Sequence, residues 1–252
     1  MPDALQSNIS SSRVDRLGQL LREGDFSADV LVELDQYRRT FSTAYQKVVK
    51  ISRETLKLPA TGRPSKSTGA ILDKLRRESA RLSQMQDIAG CRIIVDDIPT
   101  QNKVVRSLGV FLGAPRIADR RANPSHGYRA VHLIARIEGR FVEVQVRTLP
   151  QHLWAEISEK MADTIDSALK YGEGDGESLR FLRDLSVAIK GLEDEETARD
   201  EALSKIEGLT RDQKKRYKKD LRILESNYRA RRKTILQTLK NVHTEMIGIL
   251  PS

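Results

Sequence analysis

The feature that most limits the fold is a pair of alternating runs, "YRAVHLIARI" (128–137) and "RFVEVQVRT" (140–148), separated only by Glu138-Gly139. Apolar residues at every second position mark strands with one buried face, and a two-residue loop ending in Gly marks a tight antiparallel hairpin. That loop length sets the register. Ile137 faces Arg140, Ile134 faces Glu143, His132 faces Gln145, Ala130 faces Arg147 and Tyr128 faces Leu149. One face then carries Val131, Leu133, Ala135, Val142, Val144 and Val146, the evident core side. The other collects Tyr128, Ala130, His132, Glu143, Gln145 and Arg147. A one-residue slip would scatter this set. Two readings of the polar face are open, a solvated surface and the floor of a cleft. The mixture of ring, imidazole, carboxylate, amide and guanidinium favours the cleft over an ordinary Lys/Glu surface.

A second carboxylate, Asp87, precedes another apolar run in "MQDIAGCRIIV". As a lone residue it reads as a loop end or cap. Paired with Glu143 and surrounded by basic residues, it suits a Mg²⁺ that keeps waters and bridges phosphate oxygens. No His/Cys spacing points to zinc, and neither a Walker A motif nor GxGxxG is present.

The chain of 252 residues carries a net charge of +9, with 31% charged residues. This favours polyanionic partners such as nucleotides, RNA or an acidic protein. A single cysteine, Cys91, lies in an apolar run and fits a reducing cytoplasm. The N-terminus shows no apolar leader segment, and no stretch reaches membrane-spanning length. The expected setting is cytoplasmic, with no membrane partner.

The organisation reads as α+β: a mixed sheet carried between helices, with helices at both ends. Residues 13–57 read as helical, and "LPATGRPSKSTG" breaks them. A short helix over "AILDKLRRES", a strand at "GCRIIVDD", a helix over 99–112 and the basic loop "APRIADRRANPSHG" lead to the hairpin. A helix from Pro150 to about Lys170 follows it. "YGEGDGES" reads as a joint, beyond which lie helices over 177–206 and 211–248, with Thr210 and Gln213 as a capping box. The expected division is 1–57, 58–172 and 177–252. Residues 211–240 hold twelve Lys/Arg against three Asp/Glu. This stretch is either a solvated helix or an arm facing RNA or an antitoxin.

The segments "DIAGCRIIV", "GYRAVH", "VEVQVRT" and "QHLWAE", in this order, resemble the synthetase domain of the RelA/SpoT family, across about residues 60–171. "GYRAVH" and "QHLWAE" look most like the toxin-type small alarmone synthetases. The resemblance implies a nucleotidyltransferase-like core that transfers the β,γ-pyrophosphate of ATP to a ribose 3′-hydroxyl. The acceptor in such proteins is GDP or GTP, an adenine nucleotide, or the 3′-CCA end of tRNA. By position, Asp87 and Glu143 match the Mg²⁺ carboxylates, with Glu143 also helping to deprotonate the attacking hydroxyl. Arg63 and Arg92 match the arginines that sandwich adenine. Lys66 and Lys74 match phosphate-binding lysines, with Ala70 where the family has Ser. Tyr128 matches the aromatic that stacks on the acceptor base, with His132, Gln145 and Arg147 on the same floor.

Most departures fall on the acceptor side. Ala118 and Ser125 stand where basic residues are common, Ser158 stands where a guanine-reading Glu is common, and the loop before Gly127 is one residue shorter. One extra residue also separates Arg63 from Lys66. Arg116, Arg120 and Arg121 remain to meet acceptor phosphates. The four histidines, His126, His132, His152 and His243, are none of them followed by Asp, so the hydrolase motif of bifunctional members is lacking. Trp154 reads as helix core, His126 as a loop residue, and His152 as either a surface or an acceptor contact. The expected activity is pyrophosphate transfer to tRNA by a toxin with a neutralising antitoxin. An alarmone synthetase and an inactive nucleotide- or RNA-binding module are the alternatives, and the terminal helices offer a surface for self-assembly.

Overall fold

The computed structural model describes residues 9–78 and 80–248. The expectation that no leader is present rests partly on residues 1–8, which lie outside them. The chain forms two compact units. The first runs up to Ile93 and includes Arg106–Ala118 and His132–Gln145; the second comprises Ile94–Val105, Asp119–Val131 and the chain from Val146.

The first unit opens with helices α1 (Ser11–Glu23), α2 (Ala28–Arg39) and α3 (Ser42–Lys50), and α3 runs into a π-helical turn, Ile51–Thr55. The region expected to be helical is thus helical, in three helices separated by two short breaks. Ser10 caps α1, and Gly24, at φ 92°, ends it in a left-handed turn. Leu17, Leu21, Leu34, Tyr37 and Val48 are buried. Each such aliphatic or aromatic burial contributes about 1.5–3 kcal/mol. A missed strand, β1 (Ala60–Arg63), lies inside the expected Pro/Gly break. It is a four-residue edge strand with one buried position, too short to show alternation. α4 (Thr68–Arg77) follows, capped by Ser67.

The sheet has the order β1-β2-β5-β4-β3, with β2 at Ala89–Val95, β3 at Arg116–Asp119, β4 at Val131–Ile137 and β5 at Arg140–Thr148. α5 (Ile98–Phe111) connects β2 to β3. Glu138 and Gly139 both have positive φ, 50° and 77°. These values identify the two-residue turn whose twist matches the flanking strands. Val142 and Val144 are fully buried, as are Leu133 and Ala135. The expected core side is therefore the observed one. β4 starts later than the alternation implied. Tyr128 and Ala130 precede it, and Tyr128 bridges Ser125 instead.

In the second unit, α6 (Leu149–Thr164), α7 (Gly176–Glu207) and α8 (Arg211–Gly248) share a core that includes Trp154, Ile157, Leu169, Leu182, Ile189 and Leu239. Thr148 and Gln151 form a capping box on α6, and Thr210 with Gln213 forms the expected one on α8. Gly172 and Gly174, both at positive φ, carry the chain from α6 into α7. Among the described residues, no helix is long and apolar enough to cross a membrane.

Candidate active site

The first cluster lies within the first unit. Asp87 sits just before β2 and is gripped from both sides: Lys66 Nζ reaches one carboxylate oxygen at 2.7 Å and Lys74 Nζ reaches the other at 3.0 Å. α4 supplies Lys74, and the Lys66 amide donates to the Ile88 carbonyl at 2.6 Å, which ties the loop before α4 to β2. Burial alone would raise the Asp87 carboxyl. The two ammonium groups outweigh it and hold the group below its ordinary value.

Glu143, on β5, is the second carboxylate. Its Oε1 lies 2.8 Å from His132 Nδ1, and its Oε2 accepts from Gln145 Nε2 at 2.8 Å. A carboxylate accepts, so His132 carries its proton on Nδ1. Burial pushes Glu143 upward, but His132 and Gln145 together hold it below its ordinary value, while the charge of Asp87 acts in the opposite sense. The two carboxylates are thus near enough to feel each other, and each is kept ionised by its own partners.

Arg63 and Arg92 lie on one face of the β1–β2 pair. Arg63 is opposite Gly90 and Arg92 is opposite Thr61. In an antiparallel pair this makes them diagonal neighbours on one face, about 7–8 Å apart.

Gly90, which sequence reasoning passed over, completes the surface. A Cβ at this position would lie 3.0 Å from the Glu143 carbonyl oxygen and 3.7 Å from Glu143 Cβ. Arg63, Gly90 and Glu143 therefore form a row across β1, β2 and β5, bare in its middle. An isolated Gly in a strand is the available signal for such a close approach. Beside this row, Arg116 on β3 donates to Gln86 at 2.6 Å, next to Asp87.

The remaining candidates lie in the second unit. Arg147 Nε lies 3.2 Å from the Tyr128 hydroxyl, and its guanidinium carbon sits 5.1 Å from the Tyr128 ring centre. Arg121 is directed inward. Its guanidinium grips Asp119 at 2.6 Å, and Nη1 donates to Gln101 at 3.0 Å and to Asn102 at 2.8 Å. Trp154 is core, as expected, and its indole donates to the Leu182 carbonyl at 2.7 Å. His126 is a loop residue at φ 52°. His152 lies 3.4 Å from Glu156, which also reaches His243 at 3.2 Å.

Residues 62–168 match the family model described as "Region found in RelA / SpoT proteins". An uncharacterised protein of Mycobacterium tuberculosis is 35% identical over 175 residues, covering 65% of this chain and 63% of that protein. The GTP pyrophosphokinase YjbM of Bacillus subtilis is 34% identical over 119 residues, covering 40% of this chain and 54% of its own. The chain thus spans less than two thirds of these relatives' length. The small alarmone synthetase 1 of Bacillus subtilis superposes with a TM-score of 0.53 at 24% identity, covering 71% of this chain and all of that one. A structure of the same protein bound to its product pppGpp gives 0.51. The match of sequence across β1 to α6 shows that this chain contains a region found in RelA/SpoT proteins, and the superposition shows the fold of a small alarmone synthetase.

Proposed function

We propose that the protein is an ATP-dependent pyrophosphokinase acting on a ribose 3′-hydroxyl. The observation that carries this reading is the row Arg63–Gly90–Glu143, with Asp87 alongside between two lysines. Arg63 and Arg92 hold the adenine. Lys66 and Lys74 meet the phosphates, and Glu143 faces the reacting centre.

In the transfer, the 3′-oxygen attacks the β-phosphorus and the bond from that phosphorus to the α–β bridging oxygen breaks. AMP leaves with that oxygen, and the hydroxyl proton passes to Glu143. His132 and Gln145 keep Glu143 oriented and ionised for that proton. The donor set also fits a metal: two carboxylates, each kept ionised by its own partners, suit Mg²⁺, which takes oxygen ligands and keeps several waters. Asp87 and Glu143 would hold Mg²⁺, which supplies charge neutralisation at the phosphate oxygens.

For the acceptor, we favour the 3′-CCA end of tRNA, with the protein acting as a growth-arresting toxin in the cytoplasm and neutralised by an antitoxin. Support comes from Ala118, Ser125 and Ser158 in the acceptor region. The first ten residues of α8 are all exposed and include six Lys or Arg, which adds a surface for RNA phosphates. A guanine-nucleotide acceptor is the second reading, favoured by the relative called a GTP pyrophosphokinase and by the pppGpp-bound neighbour. The test is incubation with γ-³²P-ATP, Mg²⁺ and, in separate reactions, GDP, GTP, no second nucleotide, or deacylated tRNA. Label on tRNA alone excludes the alarmone reading, and label on nucleotide alone excludes the tRNA reading. Transfer to none of them excludes the pyrophosphokinase reading itself.

A further inference from the structure

α7 lies beyond the matched region, yet it grips both sides of Tyr128. Ser186 Oγ donates to the Gly127 carbonyl at 2.7 Å. Glu193 accepts from Arg129 Nε at 2.9 Å and Nη2 at 2.5 Å. Ser186 and Glu193 are seven residues apart, two turns on one face of the helix. Leu182, one turn earlier on the same stripe, holds the Trp154 indole through its carbonyl. The Trp154 ring centre is 6.4 Å from that of Tyr128.

The segment so held is one that a free chain would not favour. His126 adopts φ 52° and Gly127 φ 93°. A left-handed non-glycine residue persists only where its surroundings enforce it. A Cβ at Gly127 would come within 2.9 Å of Trp154 and 3.3 Å of the Ser186 Cβ, so the backbone is seated directly on α6 and α7. The grip continues inward. The other Glu193 oxygen accepts from Gln151 at 2.7 Å, and Gln151 accepts from Gln101 at 2.9 Å. Gln101 in turn accepts from Arg121 in the basic loop. Arg129, Glu193, Gln151 and Gln101 are all buried. A buried, satisfied network of this kind fixes geometry, because displacing one member costs its neighbours buried hydrogen bonds.

We propose that Ser186 and Glu193 of α7 are positioning residues for acceptor binding, setting the Tyr128 ring and the loop that carries it. The proposal rests on the reading of Tyr128 as the platform for the acceptor base. In Ser186→Ala, the KM for the acceptor rises roughly 3- to 10-fold, the effect of one lost hydrogen bond, while the KM for ATP stays unchanged. Ser186→Thr, which keeps the hydroxyl, restores the wild-type value. The acceptor used is whichever of GTP and deacylated tRNA takes label from ATP. Tyr128→Ala serves as the control. If it leaves the acceptor KM unchanged, the platform reading fails; if it raises that KM while Ser186→Ala does not, the positioning role fails. Hydrogen–deuterium exchange gives a readout independent of turnover. Faster exchange confined to residues 126–130 in Ser186→Ala supports the grip, and unchanged exchange there overturns it.

Discussion

Glu143→Gln separates the chemistry of the site from its architecture. The wild-type carboxylate accepts on both oxygens, from His132 and Gln145, each at 2.8 Å. The amide keeps the shape but turns one acceptor into a donor. Left facing another donor, that group would cost about 1–3 kcal/mol. Two features offset this cost. His132 can move its proton to Nε2 so that Nδ1 accepts from the new amide, and the repulsion from Asp87 disappears with the charge. The fold should therefore lose no more than about 1 kcal/mol, a fall in Tm of roughly 2–4 °C for a chain of this size. Catalysis has no such escape, since a neutral amide neither takes the hydroxyl proton nor holds a divalent cation. A loss of about 10²- to 10⁴-fold in transfer follows, equal to about 3–5 kcal/mol in the barrier. Single-turnover transfer of label from γ-³²P-ATP measures the rate, and circular dichroism on heating measures the fold. Transfer within tenfold of wild type would refute the role of Glu143, and an unfolded variant would refute the structural part of the reasoning.

Asp87 gives a pH signature. Its folded carboxyl lies below its ordinary value. The stability it contributes is therefore present above the ordinary carboxylate range and is lost as the pH falls through the lower folded value. Lys66→Met should move that loss to higher pH in acid titrations followed by circular dichroism, and an unmoved profile would count against the Lys66–Asp87 pair. Gly62→Ala sets a Cβ 2.3 Å from the Gly90 carbonyl oxygen and 2.5 Å from Cys91 Cα, both backbone atoms. We expect about 1–3 kcal/mol of destabilisation and a higher KM for ATP as Arg63 shifts. An unaltered melt and KM would show that β1 does not position Arg63. Glu193→Leu strands the buried Arg129 guanidinium at a cost of about 3–5 kcal/mol, whereas Arg129→Met combined with Glu193→Leu should recover most of it. Equal melting temperatures for the single and double variants would contradict this account of the pair.

The sequence by itself determined the hairpin and the contents of its two faces. Alternation is a local signal, and a two-residue loop leaves one register, so the apolar face and the sharing of the other face by His132, Glu143 and Gln145 follow from the chain alone. The Thr210–Gln213 cap was legible for the same reason, since its partners are three residues apart. What only tertiary structure decided depends on contacts distant in the chain. β1 is too short and irregular to announce itself and exists because it pairs with β2. Gly90 matters because Arg63 and Glu143 arrive on either side of it from strands far apart in sequence. Arg121 reads from the chain as a basic-loop cation for acceptor phosphates, and only the fold shows its guanidinium engaged by Asp119, Gln101 and Asn102. Glu193 is one acid among several along α7, and only the fold buries it against Arg129. The side-chain type of a charged residue states its charge, but whether that charge meets water, a ligand or a buried partner is settled only when the helices pack.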